Sequence, residues 1–192
     1  MKKWIFLITI ALPVLPAFSE NPGAEDIHVS LTEKEDGAHF LTGGFFIASS
    51  TTIVWNVLTD YDRMAEFVSS IKSSHRVERQ ADREIVEQVM SGKAAFFRKR
   101  IYLLLSVEEL AGKKIVFEDV SKKSFKTYTG NWEITPVNGQ IQVKYQLEAK
   151  PDFFAPDFIA LKAFKNTVKT LLTEVRTEIS TREGHLLEQA AQ

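Results

Sequence analysis

The chain has no cysteine in its 192 residues. That absence excludes disulfides, thiolate nucleophiles and cysteine-ligated metals. It also excludes lipoprotein anchoring, which needs a cysteine just past an apolar leader. An excess of either charge is missing as well. Lysine and arginine number 24 against 25 aspartates and glutamates, for a formal net charge of −1, so the basic surplus typical of nucleic-acid binding is not there. The four histidines, His28, His39, His75 and His185, stand apart, without the spacing of a zinc site. No G-x-S-x-G, Walker or G-x-G-x-x-G pattern occurs, and Gly43-Gly44 cradles no helix start. No catalytic constellation, metal site or cofactor is expected.

Long apolar runs are absent beyond the first twenty residues. Met1-Lys2-Lys3 is a short basic segment, and Trp4 to Pro16 is apolar but broken by Pro13 and Pro16. Ala17-Phe18-Ser19 then places small residues at the two positions a signal peptidase reads. A spanning helix needs about 20 apolar residues, and this run is shorter. Residues 1–19 are therefore expected to be a signal peptide cleaved near Ser19, which makes the mature protein periplasmic or secreted. Losing Lys2 and Lys3 leaves 24 − 2 = 22 basic residues against 25 acidic ones, a charge of −3. The chain is 44% hydrophobic and 26% charged, ordinary for one globular domain, and long enough to bury a core without staples.

Residues 20–36 read as a leader in which Ile27 to Lys34 has strand character. The main domain is expected over 37–183, with 184–192 as a flexible tail. His39 to Ala48 reads as a strand, Ser49-Ser50 as an N-cap, and Thr51 to Asp60 as a helix. A second short helix follows at Met64 to Ser69. Asp60-Tyr61-Asp62 is a helix-ending turn rather than an acid–base pair, because carboxylates at i and i+2 do not face each other on a helix. From Ser73 onward, short turns join strand after strand, as in a meander.

The last part carries the clearest pattern. Ile141, Val143, Tyr145, Leu147 and Ala149 alternate with Gln142, Lys144, Gln146 and Glu148, which marks an antiparallel strand wet on one side. Phe125 to Pro136 is its hairpin partner, and Asn138-Gly139 is the turn. Within that partner, Gly130 is expected to mark a bulge. An apolar stripe at helical spacing follows, Leu161, Phe164, Val168, Leu171, Val175 and Ile179, on a helix predicted from Asp157 to Arg182. The apolar face of the sheet must be covered, and this helix is the available cover. The fold class is α+β: a curved antiparallel sheet of about six or seven strands around a long C-terminal helix, with two short helices after the first strand.

This order resembles the START-like superfamily, also called SRPBCC, and within it the polyketide cyclase/dehydrase and coenzyme Q-binding START branch. The resemblance rests on Val54-Trp55-Asn56-Val57-Leu58-Thr59-Asp60-Tyr61, Glu66-Phe67-Val68, Phe125-Lys126-Thr127-Tyr128-Thr129-Gly130-Asn131-Trp132 and Tyr145-Gln146-Leu147-Glu148-Ala149-Lys150-Pro151. It covers roughly residues 38 to 182. It implies a helix-grip fold whose sheet and C-terminal helix enclose a hydrophobic cavity for lipids, sterols, isoprenoid quinones or polyketides. The family shares no catalytic residues, so none is carried over.

By strand alternation, Lys99, Ile101 and Leu103 share the face of Leu105 and Val107, while Arg98 and Arg100 face solvent. Gln88 lies on the Val86–Met90 face of the preceding strand. The expected cavity lining is Phe67, Gln88, Lys99, Ile101, Leu103, Phe117, Tyr128, Trp132, Tyr145, Phe154, Phe158 and Leu161. The expected ligand is a lipid or isoprenoid quinone, with transient membrane contact compatible and no protein partner indicated. Two other readings stay open. One is a cyclase/dehydrase-type enzyme using Lys99, Gln88 or Tyr145; the other is a protein-interaction module.

Overall fold

The computed structural model describes residues 27–80, 82–94, 97–152 and 157–190, with side chains described outside 92–99 and 157–160. The expected signal peptide and residues 20–26 of the leader lie outside the described residues. Eight strands form one antiparallel sheet: β1 (His28–Glu33), β2 (His39–Ile47), β3 (Ile71–Arg79), β4 (Glu84–Ala94), β5 (Phe97–Leu110), β6 (Lys114–Asp119), β7 (Phe125–Val137) and β8 (Gln140–Pro151). Their spatial order is β1-β2-β8-β7-β6-β5-β4-β3. The leader strand β1 pairs with β2 and extends the sheet, so the two short helices follow the second strand rather than the first. These helices, α1 (Thr51–Leu58) and α2 (Met64–Phe67), are separated by a 3-10 turn at Tyr61–Arg63. The long helix α3 runs from Asp157 to Ala190.

Local chemistry places each element. The Ser50 side chain accepts the Ile53 amide proton at 3.2 Å and starts α1. Asn138 and Gly139 turn the β7–β8 hairpin with φ of 49° and 80°, both in the left-handed region that a two-residue hairpin turn requires. The β8 alternation holds residue by residue: Ile141, Val143, Tyr145, Leu147 and Ala149 are all buried.

Helix α3 buries Val168, Leu172, Val175 and Ile179. The expected stripe is therefore off by one position in its middle, since Leu172 is fully buried and Leu171 half-buried. A stripe about 100° wide admits either of two adjacent residues, and the sheet decides between them. At Gly43 a Cβ would come within 2.7 Å of Leu172 Cδ1, so this glycine lets the helix settle directly on β2. The segment expected as a flexible tail is helical to Ala190, and Glu183 accepts a 2.5 Å hydrogen bond from Ser49.

Gly130 is not a bulge. It pairs in regular register with Phe117 on β6 and Leu147 on β8, and the register shift in β7 lies between Phe125 and Thr127. The glycine is there because the Phe117 ring lies over it: a Cβ would meet Phe117 Cζ at 2.6 Å.

Candidate functional site

Between the inner face of the sheet, the α1–α2 segment and α3 lies a cavity of about 70 Å³. Leu58, Tyr61, Met64 and Val68 form its helical wall, and Ile71 and Met90 its edge at β3 and β4. Leu105, Val107, Ile115 and Phe117 line it from β5 and β6, and Leu171 and Val175 close it from α3. Gln88 on β4, Tyr128 and Trp132 on β7 and Tyr145 on β8 supply its polar atoms together with Tyr61.

The aromatic floor follows from strand register. Trp132 and Tyr145 are cross-strand partners with ring centroids 4.5 Å apart. Phe117, admitted by Gly130, stacks on Tyr145 at 6.1 Å with 21° between planes and tilts against Tyr128 at 6.0 Å. Phe125 closes on Tyr128 at 4.9 Å. Such offset pairs add to area burial and fix the ring positions.

Each polar group at the cavity has a definable state. Gln88 donates from Nε2 to the Ser74 hydroxyl at 3.1 Å and to the Met64 sulfur at 3.4 Å. Burial pushes the Tyr128 phenol up to about 12, while a hydrogen bond from the Tyr145 hydroxyl holds it back and the Asp119 charge adds to the rise. Burial and the neighbouring Tyr128 raise Tyr145 well above the ordinary range. Tyr61 is raised by burial and by its 2.6 Å hydrogen bond to Glu109. Among the described residues, no lysine, arginine, histidine or carboxylate lines the cavity, and no group of histidine and acidic side chains could hold a metal.

These shifts predict alkaline sensitivity. A phenol whose native pKa lies above its unfolded value of about 10 holds its proton more tightly in the folded state. Stability is then level below pH 10 and falls as pH rises toward the native values, about 12 for Tyr128. The fourth tyrosine, Tyr102, is raised by its hydrogen bond to Glu87. Absorbance at the phenolate band is expected to lag the free-tyrosine curve and to rise together with loss of the folded circular dichroism signal. Tyrosines titrating near the free value while the chain stays folded would contradict it.

Of the expected lining, Gln88, Phe117, Tyr128, Trp132 and Tyr145 border the cavity. Leu103 does not, because it is fully buried in the core beside it. Ile101 and Leu161 are half-buried outside it, and Phe67 lies under the Arg182 guanidinium, 5.7 Å from its ring centroid. Lys99 and Phe158 are placed only by backbone, in β5 and α3, and Phe154 lies outside the described residues.

Sequence reasoning missed the helical wall. Tyr61, Met64 and Val68 reach the cavity only because the α1–α2 segment folds over the β3–β4 edge. Three polar contacts hold that wall and α3 together: Arg182 to Asp60 at 2.8 Å, the Ser69 amide to Glu174 at 3.0 Å, and Ser49 to Glu183. Asp62 accepts the Arg76 amide at 2.8 Å, so both carboxylates of the Asp60-Tyr61-Asp62 turn serve structure.

Size decides what the cavity admits as it stands. About 70 Å³ holds a few waters and is less than half of the roughly 150 Å³ that accepts benzene in an engineered core. A lipid-sized ligand therefore needs a wall to give. Around the cavity, α2 is the element without a fully buried residue.

Comparison with known proteins agrees with this architecture. The family model described as polyketide cyclase / dehydrase and lipid transport matches residues 50–176. The fold is similar to that of a STAR-related lipid transfer protein from Xanthomonas axonopodis, at TM-score 0.64 and 16% identity over 79% of this chain and 98% of that one. It is also similar to the Zhui aromatase/cyclase from Streptomyces sp. R1128, at TM-score 0.64 and 12% identity over 76% and 95%. The lipid transfer and protein localization domain of human StarD13 aligns at TM-score 0.61 and 13% identity over 83% and 87%. No curated protein matches the sequence.

Proposed function

The chain belongs to the polyketide cyclase / dehydrase and lipid transport family, and on that premise we propose that it is an exported protein binding a hydrophobic ligand, a lipid or isoprenoid quinone, between sheet and α3. The observation that carries this reading is the cavity itself: apolar and aromatic on nearly every side, uncharged among its described lining residues, and bounded by a thin helical wall. Opening that wall extends the apolar space toward solvent, where a hydrophobic chain enters from a membrane or another carrier.

Among the described lining residues, a cyclase/dehydrase-type activity would draw first on the Tyr128–Tyr145 pair. Both phenols stay protonated at neutral pH, so they can donate a hydrogen bond to a carbonyl but cannot take up a proton. Among the described lining residues there are donors and no base, which favours binding over proton-transfer chemistry.

Export is tested by expressing the full chain in a bacterium with a periplasm and sequencing the N-terminus of the periplasmic product. Glu20 is expected as the first residue; an uncleaved chain retained in the cytoplasm would contradict it. The same material, examined by native mass spectrometry and solvent extraction, is expected to carry a hydrophobic small molecule. A reproducibly empty protein that also takes up none from added lipid extract would sink the binding reading.

A further inference from the structure

The sheet ends in β3 on one side and β1 on the other, and the two edges are built differently. The β3 edge is blunted. Its pairing with β4 shifts register twice, between Ile71 and Ser73 and between Arg76 and Glu78. Asp62 takes up the Arg76 amide at 2.8 Å, and Lys72, Arg76 and Arg79 charge the strand. Irregular register, charge and a covering segment keep an open edge from pairing. The β1 edge has none of these. His28–Glu33 runs against β2 in unbroken register, with no proline, lysine or arginine. Among the described residues, no strand pairs with its outer side.

The free backbone groups of this edge follow from the β1–β2 turn, where the Lys34 amide donates to the Ala38 carbonyl at 2.8 Å. Bonded and non-bonded positions alternate along an antiparallel pair. Thr32, Ser30 and His28 therefore turn their backbone groups to β2, and Val29, Leu31 and Glu33 turn theirs outward. The side chains of Ile27, Val29 and Leu31 are half-buried against the core, while those of His28, Ser30 and Thr32 are exposed.

We propose that the β1 edge pairs with the same edge of a second copy of this chain, antiparallel about a two-fold axis at Ser30. Only outward-turned residues bond across the axis, so Val29 faces the second copy's Leu31, Leu31 faces its Val29, and Ser30 faces Ser30. This register joins apolar to apolar over residues 28–32 and opposes no like charges. A slide of two residues one way sets Val29 against Glu33 and His28 against Lys34. The opposite slide leaves only residues 28–30 of the strand overlapping. That self-match favours a second copy over an unrelated extended peptide. A six-residue strand is about 20 Å long, so the contact falls short of the roughly 1,000 Å² of a lasting interface, and the dimer exchanges with monomer.

The test uses single cysteines, because the chain has none of its own. Across the axis Ser30 forms a non-bonded pair, whose Cα atoms lie roughly 4.5 Å apart, within the span of a disulfide. Thr32→Cys, also at an exposed position, would hold its two thiols about 14 Å apart along the strands. Under mild oxidation at equal concentration, Ser30→Cys is expected to form linked dimer at least about tenfold faster than Thr32→Cys. Sedimentation velocity of the unaltered protein, as the cell produces it, is expected to shift from monomer toward dimer between about 1 and 300 μM, the range of a weak contact. Monomer at every concentration, or equal cross-linking of the two variants, would overturn the proposal. A different chain found disulfide-linked to Ser30→Cys after expression would give the edge to an extended peptide and overturn the choice of a second copy.

Discussion

Gly130→Ala is expected to destabilise the fold by at least about 3 kcal/mol, the upper range for overpacking a filled core. The added methyl would sit 2.2 Å from the Gln146 carbonyl oxygen and 2.6 Å from the Phe117 ring. The first neighbour is backbone of the paired strand, which cannot rotate away. The second is held by Tyr145 and Tyr128. Relief therefore requires β7 to separate locally from β8, or Phe117 to swing into the cavity. Denaturant melts of wild type and variant read the first cost directly. A loss under about 0.5 kcal/mol, within the ordinary range for surface substitutions, would show that the ring moves freely and that the aromatic floor is not fixed.

Filling the cavity from α3 is the second large effect. Leu171 is half-buried, lines the cavity and sits beside the fully buried Leu172 rather than in its place. Leu171→Trp puts an indole into a space of about 70 Å³ while leaving the core stripe of α3 untouched. Binding of an uncharged lipophile is expected to weaken about a hundredfold, equal to about 2.7 kcal/mol. The melting temperature is expected to stay close to that of the wild type, because the indole replaces void rather than packed atoms. The reverse pattern, a large loss of stability with affinity kept, would mean that the indole has displaced core side chains and that ligands bind elsewhere.

How much of this was legible in the sequence depends on whether the determining contact is local. The β7–β8 hairpin was readable because period-two alternation and Asn138-Gly139 each report on their own neighbourhood. The order of elements was enough to place the chain among helix-grip folds. The register of α3 was readable only to within a residue, since Gly43 on a distant strand chooses Leu172 over Leu171. Gly130 was misread for a similar reason: the ring that requires a glycine comes from β6, thirteen residues upstream.

Gln88, Phe117 and the β7–β8 aromatics are buried on the inner face of the sheet. Inner-face position alone cannot separate Leu103, buried in solid core, from Leu105, two residues on and bordering a void. The helical wall was not readable at all, because Tyr61, Met64 and Val68 meet the sheet only through the fold. Asp119 is another such case. It is a fully buried carboxylate that accepts the Leu104 and Ser121 amides at 3.0 Å each, with no sequence mark to announce it.

Membership of the family and the cavity's lining make hydrophobic-ligand binding between sheet and α3 the central claim. Its most direct test is the affinity of N-phenyl-naphthylamine for wild type and for Leu171→Trp, read from the probe's own fluorescence at fixed pH and salt. The account predicts one saturable site in the wild type and about a hundredfold weaker binding in the variant. No saturable site in the wild type, or the same affinity in both proteins, would contradict it.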